Sequence, residues 1–191
     1  MWPWEHLAIG YLTYSLLVRL GSGTRPSAGA ALAVAAGTQF PDLVDKPLGW
    51  GTSILPSGQS LAHSLLFALP VIVLVVVLAR RFDRNAIGRA FGIGYLSHLP
   101  GDVFYPVLLG GEPGFSPLLW PILPSGGSDP GAILAHVTDL FASFTTLLNT
   151  PAGTYYLLAE VTLLFAALLL WIADGTPGLP GLDRGEAIER G

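Results

Sequence analysis

Two long apolar runs set the first constraint on this chain. Residues 64–79 read SLLFALPVIVLVVVLA and residues 155–173 read YYLLAEVTLLFAALLLWIA, and Glu160 is the one charged residue in the two together. At 1.5 Å per helical residue, runs of this length approach the ~30 Å hydrocarbon core of a bilayer. One apolar core of a soluble domain does not account for two of them. Composition agrees: 12% of the 191 residues are charged and 51% are hydrophobic, against about 25% charged in soluble domains. We therefore expect an all-α integral membrane helical bundle of about five to six helices. It is expected to pass several times through the cell membrane, with the lipid bilayer as its first partner.

The sequence has no cysteine, so disulfides, thiolate metal sites and a Cys nucleophile are excluded. A net charge of −4 selects no partner, and without a basic stripe no nucleic-acid binding is expected. The opening MWPWEHLAIG lacks the basic region of a cleavable signal, so the first helix is expected to be retained.

Helices are expected at about 6–20, 27–37, 60–80, 86–109, 130–149 and 153–173. The second is Ala-rich and short, suited to close packing between neighbours. Residues 1–174 are read as one transmembrane domain, and the Gly/Pro-rich, then charged, segment 175–191 as a disordered tail. Two long loops, 41–59 and 106–129, carry Trp50 and Trp120, which suit a membrane interface as Trp2 and Trp4 do. LPSGQSLAH at 55–63 is faintly echoed by LPSGGSDPGAILAH at 123–136. Arg19 and Arg25 follow the first helix, while Arg80, Arg81, Arg84 and Arg89 fill the link between the third and fourth. The positive-inside rule puts both groups on the cytoplasmic side and both long loops on the outer side.

That topology brings ionisable residues from four segments to one depth. His6 begins the first helix, Asp42 and Asp45 begin the first outer loop, and His63 begins the third helix. His98 and Asp102 lie late in the outward-running fourth helix, with Asp102 roughly 20 Å beyond Arg89. His98 and Asp102 are four apart and share a helical face. Between them Pro100 and Gly101 are expected to kink or open the helix toward a wet cavity. In Asp42-Leu-Val-Asp45 the two carboxylates can both face inward, with Lys46 the simplest partner for either.

Imidazole and carboxylate donors without thiolates suit zinc, or else manganese or magnesium. Such an ion lowers the pKa of bound water. Structural readings stand beside this one. His6 suits an interfacial role next to Glu5, Asp45 an ordinary salt bridge to Lys46, and His136 with Asp139 a structural pair.

The motifs WEHLAIGYL, FPDLVDKP, SLAHSLL, GYLSHLPGDVFYP and SPLLWP occur in that order over roughly residues 5–121. In order and spacing the chain resembles the YdjM-like family of membrane-bound metal-dependent hydrolases. That resemblance implies His6, Asp42, His63, His98 and Asp102 as metal ligands, with Asp45 as a further acidic candidate. Where the family has His-Arg before its Thr-His-Ser, this chain has Gly58 and Gln59, so one His and one possible anion-holding Arg are missing. The family is in turn similar to zinc-dependent phospholipase C and P1-type nucleases, which implies phosphoester hydrolysis.

The expected function is a membrane-bound metal-dependent hydrolase. Five ligands (His6, Asp42, His63, His98 and Asp102) bind one or more divalent ions, and Asp45 is a ligand or general base. Metal-activated water attacks a phosphoester or similar ester, with a lipid headgroup as one candidate, near the membrane interface, and the loop 115–120 covers the site. The alternatives are a non-catalytic protein with a structural metal or polar network, and a small transporter.

Overall fold

A computed structural model of the protein describes residues 1–52, 54–127 and 133–179. Six α-helices account for its regular structure: α1 (Pro3–Ser22), α2 (Ala28–Lys46), α3 (Leu65–Arg81), α4 (Asn85–Leu108), α5 (Ile133–Leu148) and α6 (Pro151–Ala173). A π-helical turn at Pro47–Gly51 continues α2, and a 3-10 turn occupies Ser116–Leu119. No strand occurs among the described residues. The start of the expected fifth helix and most of the expected disordered tail lie outside them.

Two expectations are corrected. The second helix does not stop before Pro41 but runs through it to Lys46. Likewise α4 is helical through both Pro100 and Pro106, so HLPGD is not an opened segment. A proline removes one backbone donor, and flanking turns keep the helix when their residues are packed. Leu99 and Val103, on either side of Pro100, are both buried. The consequence for α2 is functional: Asp42, Asp45 and Lys46 have helical rather than loop spacing.

Packing divides the chain into two compact units, one of Met1–Gln39, Pro70–His98 and Thr162–Gly191, the other of Phe40–Leu69 and Leu99–Val161. In the first unit small residues let backbones come close. A Cβ on Gly94 would lie 2.5 Å from the Val34 carbonyl oxygen, so only glycine permits this approach. Ala30, Val34 and Tyr95 are buried in this unit. At the end of α6, buried Asp174 accepts hydrogen bonds from Tyr11 Oη (2.7 Å), Ser15 Oγ (2.6 Å) and Arg19 Nε (2.9 Å). A buried carboxylate is tolerable because donors and a cation surround it.

In the second unit Tyr156 packs edge-on against Tyr105 and Phe144, with ring centroids 6.3 and 6.0 Å apart. Trp50 stacks on His136, with ring centroids 5.2 Å apart. The loop after α4 is pinned by Gly114 N–H donating to the Val103 carbonyl and by Ser64 Oγ donating to the Trp120 carbonyl.

Burial follows an unusual pattern. His6, Thr38, Asp45, Ser60, His63 and His98 are among the most buried residues, while Leu66, Val73, Leu74 and Val77 of α3 are exposed. So are Leu158, Val161, Phe165 and Leu169 of α6. Among the described residues, α6 is the one helix long and apolar enough to cross a membrane by length and composition, and α5 is apolar but shorter.

Candidate metal centre

The site begins with the helical spacing of α2. Asp42 and Asp45, three apart, both turn inward, and Asp45 is fully buried. Lys46, one turn after Asp42, places Nζ 2.5 Å from Asp42 Oδ2. Its ammonium also lies 5.4 Å from the centre of the Trp50 ring, a cation–π distance. Of the two carboxylates the sequence offered Lys46, the structure selects Asp42.

Asp45 faces the loop that precedes α3. Its Oδ2 accepts the Ser60 N–H at 2.7 Å and the His63 N–H at 3.2 Å, and its Oδ1 accepts the Ala62 N–H at 2.9 Å. The His63 ring adds Nδ1, 2.8 Å from Asp45 Oδ2. With Nδ1–H donated, Nε2 carries the ring's lone pair, and it points at Asp102 Oδ2 (3.2 Å) and Asp42 Oδ1 (3.6 Å). A lone pair aimed at two carboxylates is repulsive unless a proton or a metal cation lies between them.

Electrostatics make the same point. Burial by itself lowers the His63 pKa, but hydrogen bonds to Asp102, Asp42 and Asp45 outweigh it and push the ring up to about 10. Three carboxylates around one imidazole create a strong demand for positive charge, and Lys46 meets part of it.

On α4, His98 and Asp102 share a face as their spacing predicts. Nδ1 of the buried His98 donates to the Thr38 carbonyl at 2.7 Å, which makes Nε2 the acceptor nitrogen. Asp102 Oδ2 also accepts from Gln59 Nε2 at 2.7 Å. Asp42, His63, His98 and Asp102 each present one donor atom, and these atoms lie within 4.8 Å of one another. His6 does not belong to that group. Its ring stacks face to face on His98, centroids 3.7 Å apart and planes 14° from parallel.

Beside His63 and Asp102 lies a small cavity whose other walls include Gln59, Gly114, Pro117 and Leu118. The loop expected to cover the site thus contributes two of its walls.

Three contributors escaped the sequence reading. Thr38 acts through its backbone carbonyl, which no side-chain pattern signals. Gln59 looked like a loss, yet it is a donor to Asp102. Gly58 looked like a missing ligand, yet a Cβ there would come within 2.5 Å of Trp50 Nε1. Trp50 occupies the space a larger residue would need.

A family model described as YdjM inner membrane protein matches residues 1–176. The chain belongs to the YdjM family. No curated protein and no solved structure gives a match. Membership places the chain among membrane proteins and agrees with the apolar exteriors of α3 and α6. Within this YdjM chain, the buried Asp/His/His/Asp group is one that could hold a metal ion.

Proposed function

We propose that this YdjM-family protein is a multi-pass, membrane-bound hydrolase that uses one divalent ion, best fitted by zinc, on a phosphoester or similar ester near the membrane interface. The observation that carries the proposal is the convergence of four donors, two imidazole and two carboxylate, within 4.8 Å, three of them on buried residues and Asp102 half-buried. Tetrahedral zinc with bonds of ~2.1 Å sets its ligand atoms about 3.4 Å apart. The separations of His63 Nε2 from Asp102 (3.2 Å) and Asp42 (3.6 Å) straddle that value. Both histidines also have Nδ1 occupied by an acceptor, the arrangement that presents Nε2 to a metal.

When bound, such an ion lowers the pKa of a coordinated water and supplies a nucleophile near neutral pH. The protein's residues divide the remaining work. Asp45, with both oxygens engaged by backbone N–H groups and His63, is assigned a positioning role in place of the general-base role its sequence suggests. Lys46 holds one oxygen of Asp42, and Gln59 holds Asp102. Pro117 and Leu118 restrict access of water beside His63 and Asp102.

A structural metal without turnover is the second reading, favoured by how small the cavity is. Metal analysis of the protein purified in detergent, alongside His63→Ala and Asp102→Ala, tests the first claim. We expect about one zinc per chain, with loss of at least tenfold in affinity in each variant. Unchanged metal content in both variants would sink the metal assignment. Hydrolysis of short-chain phospholipids and an aryl phosphodiester tests the second claim. Bound zinc with no turnover on either selects the structural reading.

A further inference from the structure

The stacked pair His6 and His98 leads beyond this assignment and rests on it. We infer that His6 is a positioning residue for the metal centre: its ring fixes the plane of the His98 imidazole and does not itself ligate the ion.

A hydrogen bond alone does not orient a ligating imidazole. The Nδ1–H of His98 meets the Thr38 carbonyl at 2.7 Å, which fixes one point on the ring and one direction. Because the ring is also tethered at Cγ through Cβ to α4, what remains is a small concerted change of χ1 and χ2, which tilts the ring plane and shifts Nε2. A flat surface against the ring face removes this freedom. His6 supplies one, with centroids 3.7 Å apart and planes within 14°. At this spacing the two faces are in van der Waals contact, so the His98 plane cannot tilt without displacing His6.

Burial and the seating of α1 place His6 against His98. His6 is 1% exposed and His98 fully buried. His6 lies in the first turn of α1, whose start is set by Glu5 Oε2 accepting the Trp2 N–H at 2.6 Å. The Pro3 carbonyl accepts from Gln39 Nε2 at 3.0 Å, next to Thr38, whose carbonyl holds His98. One turn further along α1, a Cβ on Gly10 would lie 2.2 Å from Thr38 Cγ2 and 3.1 Å from Ser97 Oγ. The absence of a side chain at Gly10 therefore lets α1 approach the residues beside and opposite His98. The two constraints on His98, an edge bond and a face contact, come from separate helices.

The two histidine ligands are thus oriented differently. His63 sits in a loop and is held by Asp45 through both its ring and its backbone. His98 sits on a helix, where its own backbone N–H is committed, and an aromatic face replaces the second hydrogen bond.

The test is Co²⁺ binding to the full-length, metal-stripped protein in detergent, read by titration and by the d–d absorption bands that report the ligand set. His6→Phe keeps a flat ring and has no donor nitrogen, while His6→Ala removes the face. We expect His6→Phe to bind Co²⁺ within about threefold of wild type and His6→Ala to bind about tenfold more weakly, a typical effect for a residue that orients a ligand. Both should keep the wild-type band positions and intensities, whereas His98→Ala changes them. The inference is overturned if His6→Ala changes the spectrum as His98→Ala does, which would make His6 a ligand. It is equally overturned if His6→Ala binds within about twofold of wild type. The His6→Ala spectrum decides between ligand and wall even if His6→Phe is too large to fold. Failure of the wild-type protein to bind Co²⁺ removes the metal assignment itself, an outcome distinct from either of these.

Discussion

Asp45 accepts three backbone N–H groups and the Nδ1–H of His63, so one buried carboxylate orders both a loop and a ring. In Asp45→Asn one oxygen becomes an amide that can only donate, and a buried donor of the loop or ring loses its acceptor. The expected cost is about 1–3 kcal/mol of folding stability, the usual penalty for such an orphan. Zinc affinity should also fall roughly 10- to 100-fold, because His63 loses the group that orients it. Thermal unfolding and zinc titration measure the two effects, and a variant with unaltered affinity would refute the positioning role.

His63 gives a prediction in pH. With its pKa raised from 6.5 to about 10, its contribution to the metal-free fold is complete below pH 6.5 and is lost as pH rises through about 10. Nε2 must shed its proton before it can ligate. Zinc affinity should therefore increase with pH up to about 10, with close to one proton released per ion at pH 7.5 from His63. Calorimetric titration in buffers of different ionisation enthalpy counts those protons. Uptake with no release contradicts a protonated His63 in the metal-free site.

At the scale of elements, α2 carries small residues in its first part and the acidic pair Asp42 and Asp45 in its second. Its first part was readable as a close-packing helix from its alanines and glycines. A Cβ on Gly37 would lie 2.2 Å from the Phe91 carbonyl oxygen, a backbone atom that cannot swing aside. Gly37→Ala should cost about 1–3 kcal/mol through overpacking. It should also weaken zinc binding, since the next residue is Thr38, whose carbonyl holds His98. Unfolding and zinc titration of that variant provide the check; full stability would mean that α2 and α4 have room to part. The remainder of α2 was not readable, because Pro41 looks like a stop signal when the packing that sustains the helix is unknown. The same kind of reading expected α4, though continuous, to kink or open at Pro100 and Gly101. In both places a single lost hydrogen bond was outweighed by tertiary contacts that sequence does not display.

Among the described residues as a whole, many polar groups are buried and many large apolar side chains are exposed, on α3 and α6 especially. Such a surface is unfavourable in water and suits lipid. The protein should therefore stay with the membrane fraction after an alkaline carbonate wash and need detergent for release, as fractionation followed by immunoblotting shows. Release by carbonate alone would contradict the integral, multi-pass reading.

What the sequence by itself determined is the helical, lipid-adapted character of the chain and most of the donor set. Long apolar runs have few physical solutions, and the four-residue spacing of His98 and Asp102 has one consequence on any helix. The tertiary structure decided the rest. It paired Lys46 with Asp42, turned Asp45 into the acceptor for a loop, gave Gln59 a task and filled the space above Gly58 with Trp50. It also placed His6 against a ring face, outside the group of four donors. These outcomes depend on backbone carbonyls, ring planes and distances between segments remote in sequence, and residue identity and spacing encode none of them locally.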